Sequence, residues 1–277
     1  MIKIVTDSVS DLPPEVAKDL GITVIPLNVH FGNETYKDRV ELTADEFYQK
    51  LDSSPVLPTT SAPAPGIFAS VFDELAAQCT GILGIFLARN FSATYEAALQ
   101  GISFMKNKCR VELIDSRTAI MAQGLLVIES AKKALEGSSL SELVSLVSET
   151  MPRIHMRSRL DTLKYLIKGG RVGKIQGWIG TMLKVVSINT LENGEVFSVF
   201  RVRTPTKATE WLYDYVAKFK GIKALAVEYG TNVAEAKALA QRISAVFPKV
   251  PIYLSQVSPV IGTHTGPGVL AVNVLEE

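Results

Sequence analysis

The chain has 277 residues, of which 47% are apolar and 21% charged, and this length and balance favour two globular domains over one. Its 29 basic and 28 acidic residues give a net charge of +1. No basic run is longer than Lys132-Lys133, so the sequence shows no positively charged patch that would attract nucleic acid or an anionic membrane. We therefore exclude nucleic acid as a partner, and of membrane interactions only a transient contact stays open.

Cysteine and histidine usage predicts the compartment and the absence of a metal site. Cys79 and Cys109 lack C-x-x-C spacing, and the N-terminus has a strand pattern rather than a signal peptide, so we predict a reducing, cytoplasmic environment. The three histidines are far apart in the sequence and predict no metal site. Residues 250–275 carry no charged side chain, but prolines and glycines interrupt them, which favours two buried strands around a loop over a transmembrane helix.

Strand and helix patterns alternate through the first half of the chain. Apolar segments predict strands at residues 2–5, 22–29, 82–88 and 110–114. Helix signals between them include the proline pair at 13–14 and two capping boxes, Thr43 with Glu46 and Ser139 with Glu142. This alternation predicts a mostly parallel sheet with helices on both faces.

The second half predicts another α/β unit. We place the domain boundary in the polar and basic segment 152–158, which gives domains of residues 1–155 and 156–277. Leu160 begins a helix pattern that ends at Gly169-Gly170. The later elements are a hairpin of strands 185–191 and 195–202 around Asn193-Gly194, helix 206–220, strand 222–228, helix 233–247 and strand 251–254. The predicted fold class is therefore two α/β domains, the second with a β-hairpin.

Hydroxyl side chains precede two of the predicted helices. In the stretch LPTTSAPAPGIF, prolines stiffen a loop that holds Thr60 and Ser61 near a helix start, whose free N–H groups attract a carboxylate or phosphate. The alternative is that these hydroxyls only cap the helix. In NFSATYEAA, Ser92 and Thr94 follow a strand and precede a helix in the same way. Because ligands bind beyond the carboxyl ends of parallel strands, we expect the two turns to converge.

Two further segments carry candidate site residues. The loop 261–268, IGTHTGPG, places His264 among threonines and glycines that allow close backbone approach to a ligand. Arg171 follows a Gly-Gly pair that ends a helix tightly, and its alternative interpretation is a solvated charge.

Enzymatic interpretations rest on four residues. Asp7 and Asp115 each end an apolar strand and precede serine, which suits either an aspartyl nucleophile or metal ligand, or ordinary capping of the next helix. Neither has a second carboxylate two residues on, which favours capping. Ser92 lacks the flanking glycines of a G-x-S-x-G elbow, but a triad with His264 stays open.

Seven segments, in order and across nearly the whole chain, resemble the signatures of the DegV family of bacterial fatty-acid-binding proteins. They are VTDSVSDLP, PTTSAPAPGIF, FSATYEAA, VELIDSRTA, LKYLIKGGRVGKIQGWIG, RVRTPTKA and IGTHTGPG. The resemblance implies a two-domain α/β protein, without catalytic activity or cofactor, that buries one C14 to C18 fatty acid with its carboxylate near the domain junction. It further implies a partner fatty-acid kinase, which makes acyl phosphate for phospholipid synthesis.

The resemblance also assigns roles to individual residues. The carboxylate-binding residues that it implies are Thr60, Ser61, Ser92 and His264. Arg171 and Thr94 are expected near the head group, and Arg201 and Arg203 are expected to contact the kinase or a phosphorylated head group. Apart from the resemblance, apolar helix faces supply the candidates for the tunnel wall, with ordinary core packing as the alternative interpretation of each: Ile67, Phe68, Phe72, Ala97, Ala98, Trp178, Ile179 and Met182.

This chain departs from the family pattern at two places. It has Ser92-Ala93-Thr94 where the family has Ser-Gly-Thr, and Ala93 would be strained if the turn required a positive φ. It also has Ala62 and Ala64 where the family often has glutamine and serine, which reduces the polar groups around the head group. The alternative function is a lipid hydrolase using Ser92 with His264, or a phosphoryl transferase centred on Asp7.

Overall fold

A four-stranded parallel sheet forms the centre of the N-terminal part of the chain. In the computed structural model, which describes residues 1–173, 185–192 and 194–277, its strand order is β2-β1-β6-β7. The strands are β1 (Ile2–Asp7), β2 (Thr23–Ile25), β6 (Gly81–Phe86) and β7 (Val111–Asp115). Every residue of β6 is buried, as expected for a strand covered on both faces.

Helices cover both faces of this sheet. They are α1 (Pro14–Asp19), α3 (Pro65–Ala76), α4 (Thr94–Ser103), α5 (Ile120–Leu135) and α6 (Leu140–Thr150). On the face of α3 and α4, Phe68, Phe72 and Ala98 pack against Val5 and Phe86. Helices α5 and α6 pack on the opposite face. The mostly parallel N-terminal sheet that the sequence predicts is thus confirmed.

A small antiparallel sheet lies beside the parallel one, in the order β4-β3-β5. Its strands are β3 (Asn28–Phe31), β4 (Glu34–Lys37) and β5 (Thr59–Ser61), and α2 (Ala44–Ser53) follows β4 with the predicted Thr43–Glu46 capping box. The single strand predicted at 22–29 is wrong. It splits into β2 and β3 around Pro26, which has no N–H to donate to a ladder.

The C-terminal part forms a six-stranded sheet in the order β10-β9-β8-β13-β11-β12. Its strands are β8 (Ile154–Leu160), β9 (Val186–Glu192), β10 (Glu195–Val202), β11 (Ile222–Tyr229), β12 (Ile252–Gln256) and β13 (Leu270–Glu276). Helices α8 (Pro205–Val216) and α9 (Val233–Val246) pack on one face. The predicted β9–β10 hairpin is confirmed, while its turn residue Asn193 lies outside the described residues. The predicted α/β fold class with a second sheet domain is confirmed.

Most of the segment 152–158, where we predict the domain boundary, lies within β8, which pairs with β13 and β9. Two local predictions, at this strand and after it, are wrong. Leu160 ends that strand, and the helix, α7 (Lys164–Lys168), begins later. The expected loop 261–268 starts within α10 (Pro259–Thr265), whose first residue is a proline. The domain limits 1–155 and 156–277 stay a prediction.

Helix α5 lies between the two large sheets and links them. Almost all of its residues are buried, and one continuous apolar core joins Leu125 and Ile128 of α5 to Leu83 of β6 and Ala226 of β11. The N-terminus of this buried helix lies next to the carboxyl ends of β6 and β7. The two sheets therefore meet around α5, at the edge where ligands bind in open α/β sheets.

Candidate functional site

A cavity of about 350 Å³ lies where the carboxyl ends of the parallel strands face the six-stranded sheet. This volume falls within the usual range of small-molecule sites. Most of the wall is apolar, from both halves of the chain. The large apolar lining residues are Leu27, Leu87, Phe91, Ile120, Met156, Leu160, Leu166, Leu191, Val196, Val257, Val260, Ile261 and Val269.

The polar residues predicted from three separate loops line this same cavity. Thr60 and Ser61 come from β5, Ser92 from the turn before α4, and His264 from the last turn of α10. Arg171 lines it from the segment after α7. The two hydroxyl turns therefore converge on one cavity, as expected. His264 lies beside them, although it is 204 residues from Thr60 in the chain.

His264 and Thr60 form the central contact of this polar group. The imidazole Nε2 lies 3.0 Å from Thr60 Oγ1 in a hydrogen bond, and Nδ1 has no partner among the described residues. The ring fits because residue 169 is glycine. A Cβ added at Gly169 would lie 2.1 Å from His264 Nδ1, which no real Cβ tolerates. The Gly-Gly pair after α7 thus makes room for the histidine.

Ser61 is held by a histidine that the sequence did not connect with the site. His30 Nε2 lies 2.9 Å from Ser61 Oγ, and its Nδ1 lies 2.8 Å from Thr35 Oγ1. Asn28 Nδ2 also donates to Ser61 Oγ at 3.2 Å. Neither Thr60 nor Ser61 caps α3, since its N-cap is Ala64 without a side-chain hydrogen bond. The capping alternative is therefore wrong, and both hydroxyls remain oriented by β3 and α10.

Ser92 is positioned by the residue that begins α4. Its Oγ lies 2.8 Å from Thr94 Oγ1 and accepts from the Thr94 backbone N–H at 3.3 Å. Thr94 is fully buried and does not line the cavity, so it orients the Ser92 hydroxyl through this hydrogen bond without itself facing the cavity. Ala93 has φ −73°, a conformation that alanine adopts without strain. The departure from the family's glycine therefore costs nothing in backbone energy.

Arg171 supplies the one permanent charge among the described lining residues. Its Nη1 donates to the Gly169 carbonyl at 2.7 Å and its Nε to the Phe91 carbonyl at 3.3 Å, so its guanidinium is fixed across the two halves of the site. No aspartate or glutamate is among the described residues that line the cavity. The cavity therefore combines an apolar wall with a net positive polar end, which suits an anionic amphiphile.

Burial of the imidazole and the positive charge of Arg171 lower the pKa of His264 to about 4. The histidine is therefore neutral near pH 7, and it donates or accepts a single hydrogen bond without adding charge. A second cation next to Arg171 is avoided in this way.

The enzymatic alternatives lack the geometry that they require. Ser92 is hydrogen-bonded to Thr94 and His264 to Thr60, and no Ser92–His264 hydrogen bond exists among the described residues. The second imidazole nitrogen has no carboxylate partner there either. A triad needs both bonds. The geometry thus does not support a serine hydrolase.

Asp7 and Asp115 act as structural acceptors. Asp7 is fully buried, accepts from the Val9 and Leu87 N–H groups and from Gln123, and does not line the cavity. Burial raises its pKa to about 7. Asp115 accepts from the Arg117 N–H at 2.9 Å. Capping of the next helix is confirmed for Asp7, which caps the short 3-10 helix Ser8–Ser10. It is wrong for Asp115, because the N-cap of α5 is Ala119 and has no side-chain hydrogen bond.

Those predicted tunnel residues that the structure describes do not line the cavity. Phe68, Phe72, Ala97 and Ala98 are core residues between the helices and the far face of the parallel sheet, and Ile67 is 49% exposed. Helical apolar periodicity identified a buried face, but not which side of the sheet it covers. The other tunnel candidates, Trp178, Ile179 and Met182, lie outside the described residues. Arg201 and Arg203 are exposed at the end of β10 and just after it, and neither is among the described residues that line the cavity.

A model of the family described as "Uncharacterised protein, DegV family" matches residues 1–277. The chain belongs to the DegV family. Its sequence is 38% identical over 270 residues to a DegV domain-containing protein of Caldanaerobacter subterraneus subsp. tengcongensis, an alignment that covers 96% of this chain and 95% of that protein. The resemblance inferred from the seven motifs is thus confirmed.

Two solved structures of the DegV family share this fold. A structure described as DegV, a fatty acid binding protein from Bacillus subtilis, has a TM-score of 0.93 and 31% identity, covering 100% of this chain and 99% of that one. A second, described as fatty acid binding of a DegV family protein from Thermus thermophilus, has a TM-score of 0.89 and 29% identity, with the same coverage of both chains.

Two further properties of this DegV-family chain concern metals and membranes. Within residues 1–173, 185–192 and 194–277, no group of three or more His, Cys, Asp or Glu side chains is arranged to hold a metal ion. None of the helices in those ranges combines the length and apolarity needed to cross a bilayer.

The depressed pKa of His264 predicts a specific pH dependence of stability. Because the folded-state pKa of about 4 lies below the ordinary value of 6.5, the unfolded chain binds more protons between these values. The contribution of His264 is therefore fully present above pH 6.5 and is lost as the pH falls towards 4. We expect the melting temperature of the wild type, minus that of His264→Gln, to decrease from pH 7 to pH 4 in thermal unfolding scans.

Subtracting the melting temperature of His264→Gln from that of the wild type cancels the effect of other groups, whose contributions to stability change with pH in the opposite direction. Burial raises the pKa values of Asp7 and Asp38 to about 7, so their contributions weaken as the pH rises, equally in both proteins. A difference in melting temperature that stays constant from pH 7 to pH 4 would show that His264 is not buried in its neutral form.

Proposed function

We propose that this chain binds one long-chain fatty acid of C14 to C18 in the cavity and presents its carboxylate to a partner fatty-acid kinase. The acid occupies the cavity with its chain against the apolar wall. Its carboxylate lies at the end formed by the β5 strand, the turn before α4, α10 and Arg171. The bound acid is the ligand, and the chain itself has no catalytic role or cofactor.

The observation that carries the proposal is the charge pattern of the lining. Arg171 is the one permanently charged side chain among the described lining residues, neutral hydroxyls line the same cavity, and the remaining wall is mostly apolar. A carboxylate is stabilised by such a cation and by hydroxyl donors. A neutral lipid would leave the cation without an anionic partner, and a cationic ligand would be repelled.

The apolar wall is sufficient to hold the chain. Burying about fourteen methylenes at about 0.8 kcal/mol each gives an upper limit of about 11 kcal/mol, before the costs of association are subtracted. The tail thus provides most of the affinity. The polar end then sets which way round the ligand lies and how far it enters.

The head-group roles follow from the geometry of the site. We assign Thr60, Ser61, Ser92 and His264 to the carboxylate and Arg171 to its border, while Thr94 orients Ser92 through their 2.8 Å hydrogen bond. Hydroxyls and a neutral imidazole can donate to a carboxylate, and they also tolerate its conversion to an acyl phosphate. That tolerance suits a subunit whose ligand is modified while bound.

Similar proteins support this function. The relatives from Bacillus subtilis and Thermus thermophilus are described as fatty acid binding, and their folds cover 100% of this chain. The kinase partner, the acyl phosphate product and the link to phospholipid synthesis in the cytoplasm are carried from the family resemblance. The exposed Arg201 and Arg203 are the proposed contact with the kinase or with the phosphorylated head group.

The direct test is to denature the purified protein and analyse its organic extract by mass spectrometry. A ligand buried by a mostly apolar wall dissociates slowly, so we expect close to one C14 to C18 acid per chain. An extract that stays empty after the protein has been incubated with palmitic and oleic acid would refute the proposal.

Variants of the polar end should separate recognition of the carboxylate from binding of the tail. We expect Ser92→Ala and Arg171→Met each to weaken palmitic acid binding by about 10- to 100-fold, because a hydrogen bond to a charged group contributes about 1.5 to 3 kcal/mol. Binding of hexadecanol, which has the same chain but no charge, should change much less. Isothermal titration with both ligands measures the two effects.

Thr94→Val is the matched control for Ser92→Ala. It removes the hydroxyl behind Ser92 but leaves the cavity lining intact, so palmitic acid affinity should fall less than in Ser92→Ala. Equal losses for palmitic acid and hexadecanol in the Ser92 and Arg171 variants would show that these residues only maintain the shape of the cavity.

The kinase contact is tested by reversing one exposed charge. We expect Arg203→Glu to slow acyl phosphate formation by the purified kinase at least about tenfold, since one reversed rim charge mainly reduces the association rate. Its fatty-acid content should stay unchanged. Arg110→Glu, which changes another exposed arginine, on the N-terminal half, is the control. Equal rates for the wild type and Arg203→Glu would exclude this surface as the contact.

A further inference from the structure

One polar residue in the cavity wall has no role in carboxylate binding. Asn189 lies in the middle of β9, lines the cavity and is 2% exposed. Its Oδ1 has no hydrogen-bond partner among the described residues. Because buried amide oxygens are nearly always paired in native proteins, this unpaired acceptor needs a partner that the described residues do not supply.

The orientation of the amide is fixed by its neighbour on the same strand. Asn189 Nδ2 donates to Ser187 Oγ at 2.9 Å and to the Ser187 carbonyl at 3.3 Å. The carbonyl can only accept, so the nitrogen must be the atom that faces it. The oxygen is therefore the free end, and it accepts from a donor.

The residues paired with Asn189 across the sheet are also polar. Ser158 of β8 is its partner on one side and lines the cavity as well. Ser198 of β10 is its partner on the other side, and its Oγ is buried without a partner among the described residues. Side chains in register share one face of a sheet. A short polar row thus crosses a wall that is otherwise mostly apolar.

This row is separate from the residues assigned to the carboxylate. No hydrogen bond among the described residues joins Asn189 to Thr60, Ser92, His264 or Arg171. A free amide oxygen repels a carboxylate, because both are acceptors. The group that satisfies it must carry a proton to donate. A plain hydrocarbon chain has none and would leave the oxygen unpaired.

We propose that Asn189 recognises a hydroxyl group on the ligand chain, so that the preferred ligand is a hydroxylated long-chain fatty acid. The hydroxyl donates to Asn189 Oδ1, and its oxygen accepts from the nearby Ser158 hydroxyl. This inference rests on the proposed function and specifies its ligand class. A site built to pair with a hydroxyl discriminates against the analogue that lacks it, since the buried acceptor is then left unsatisfied.

The test compares stearic acid with 9-, 10- and 12-hydroxystearic acid on the delipidated protein by isothermal titration. For each hydroxy acid, the ratio of the stearic acid Kd to the hydroxystearic acid Kd is measured in the wild type and in Asn189→Leu. We expect this ratio to fall about tenfold in the variant for at least one positional isomer. Ser198→Ala, which alters the same row outside the cavity lining, should leave the ratio unchanged.

The outcomes separate this inference from the function on which it rests. If the wild type binds stearic acid but the ratio is the same in Asn189→Leu for all three isomers, or if Ser198→Ala lowers it equally, a buried water occupies the row and the inference is wrong. If the wild type binds none of the four acids, the proposed function itself fails.

A measurement without any variant guards against misfolding of Asn189→Leu. The delipidated wild type is incubated with an equimolar mixture of the four acids, and the bound fraction is extracted and analysed by mass spectrometry. Enrichment of one hydroxystearic acid over stearic acid supports the inference. Enrichment of stearic acid over all three overturns it.

Discussion

The buried contact between Asp11 and the segment before α10 determines how the two halves of this molecule meet. Asp11 Oδ1 accepts from the Ser258 N–H and from the Arg39 guanidinium, each at 3.2 Å, and Arg39 also donates to the Gln256 carbonyl. Burial raises the pKa of Asp11, and burial together with the nearby charge of Asp11 raises the pKa of Glu228. Since Ser258 is the N-cap of α10, this contact also positions His264 against Thr60.

The same constraint orients the central helix towards the cavity. The Glu228 carboxylate accepts from the Met121 N–H at the first turn of α5, so β11 holds the helix N-terminus in place. Ile120, directly before Met121, has φ +54°, a left-handed conformation that a β-branched residue adopts at a cost of roughly 1 to 3 kcal/mol. Ile120 lines the cavity, so the strain lies at the site, and the buried contacts of α5 and Glu228 maintain it.

The sequence predicted those structural features that depend on only a few neighbouring residues. The capping boxes at Thr43 and Ser139, the proline-led helices and the hairpin depend on local chemistry, and each is present. The errors concern distant partners. Strand β8 has a basic sequence, but it forms because β13, more than a hundred residues later, pairs with it. Likewise, a helical apolar face predicts burial, but not whether it borders a cavity.

The residues of the site likewise divide into those that the local sequence identifies and those that depend on distant parts of the chain. Thr60, Ser92, Arg171 and His264 lie in loops with unusual composition, so motif and turn chemistry could identify them. Asn189 could not be found in this way. In β9, Val186 and Ile188 face the core under α8, and the alternate residues Ser187 and Asn189 have the polarity of a solvent-facing side. In this fold the N-terminal half covers that side, which turns an ordinary polar strand face into part of a cavity wall. A polar side chain on this face, such as Asn189, therefore meets the contents of the cavity instead of bulk water.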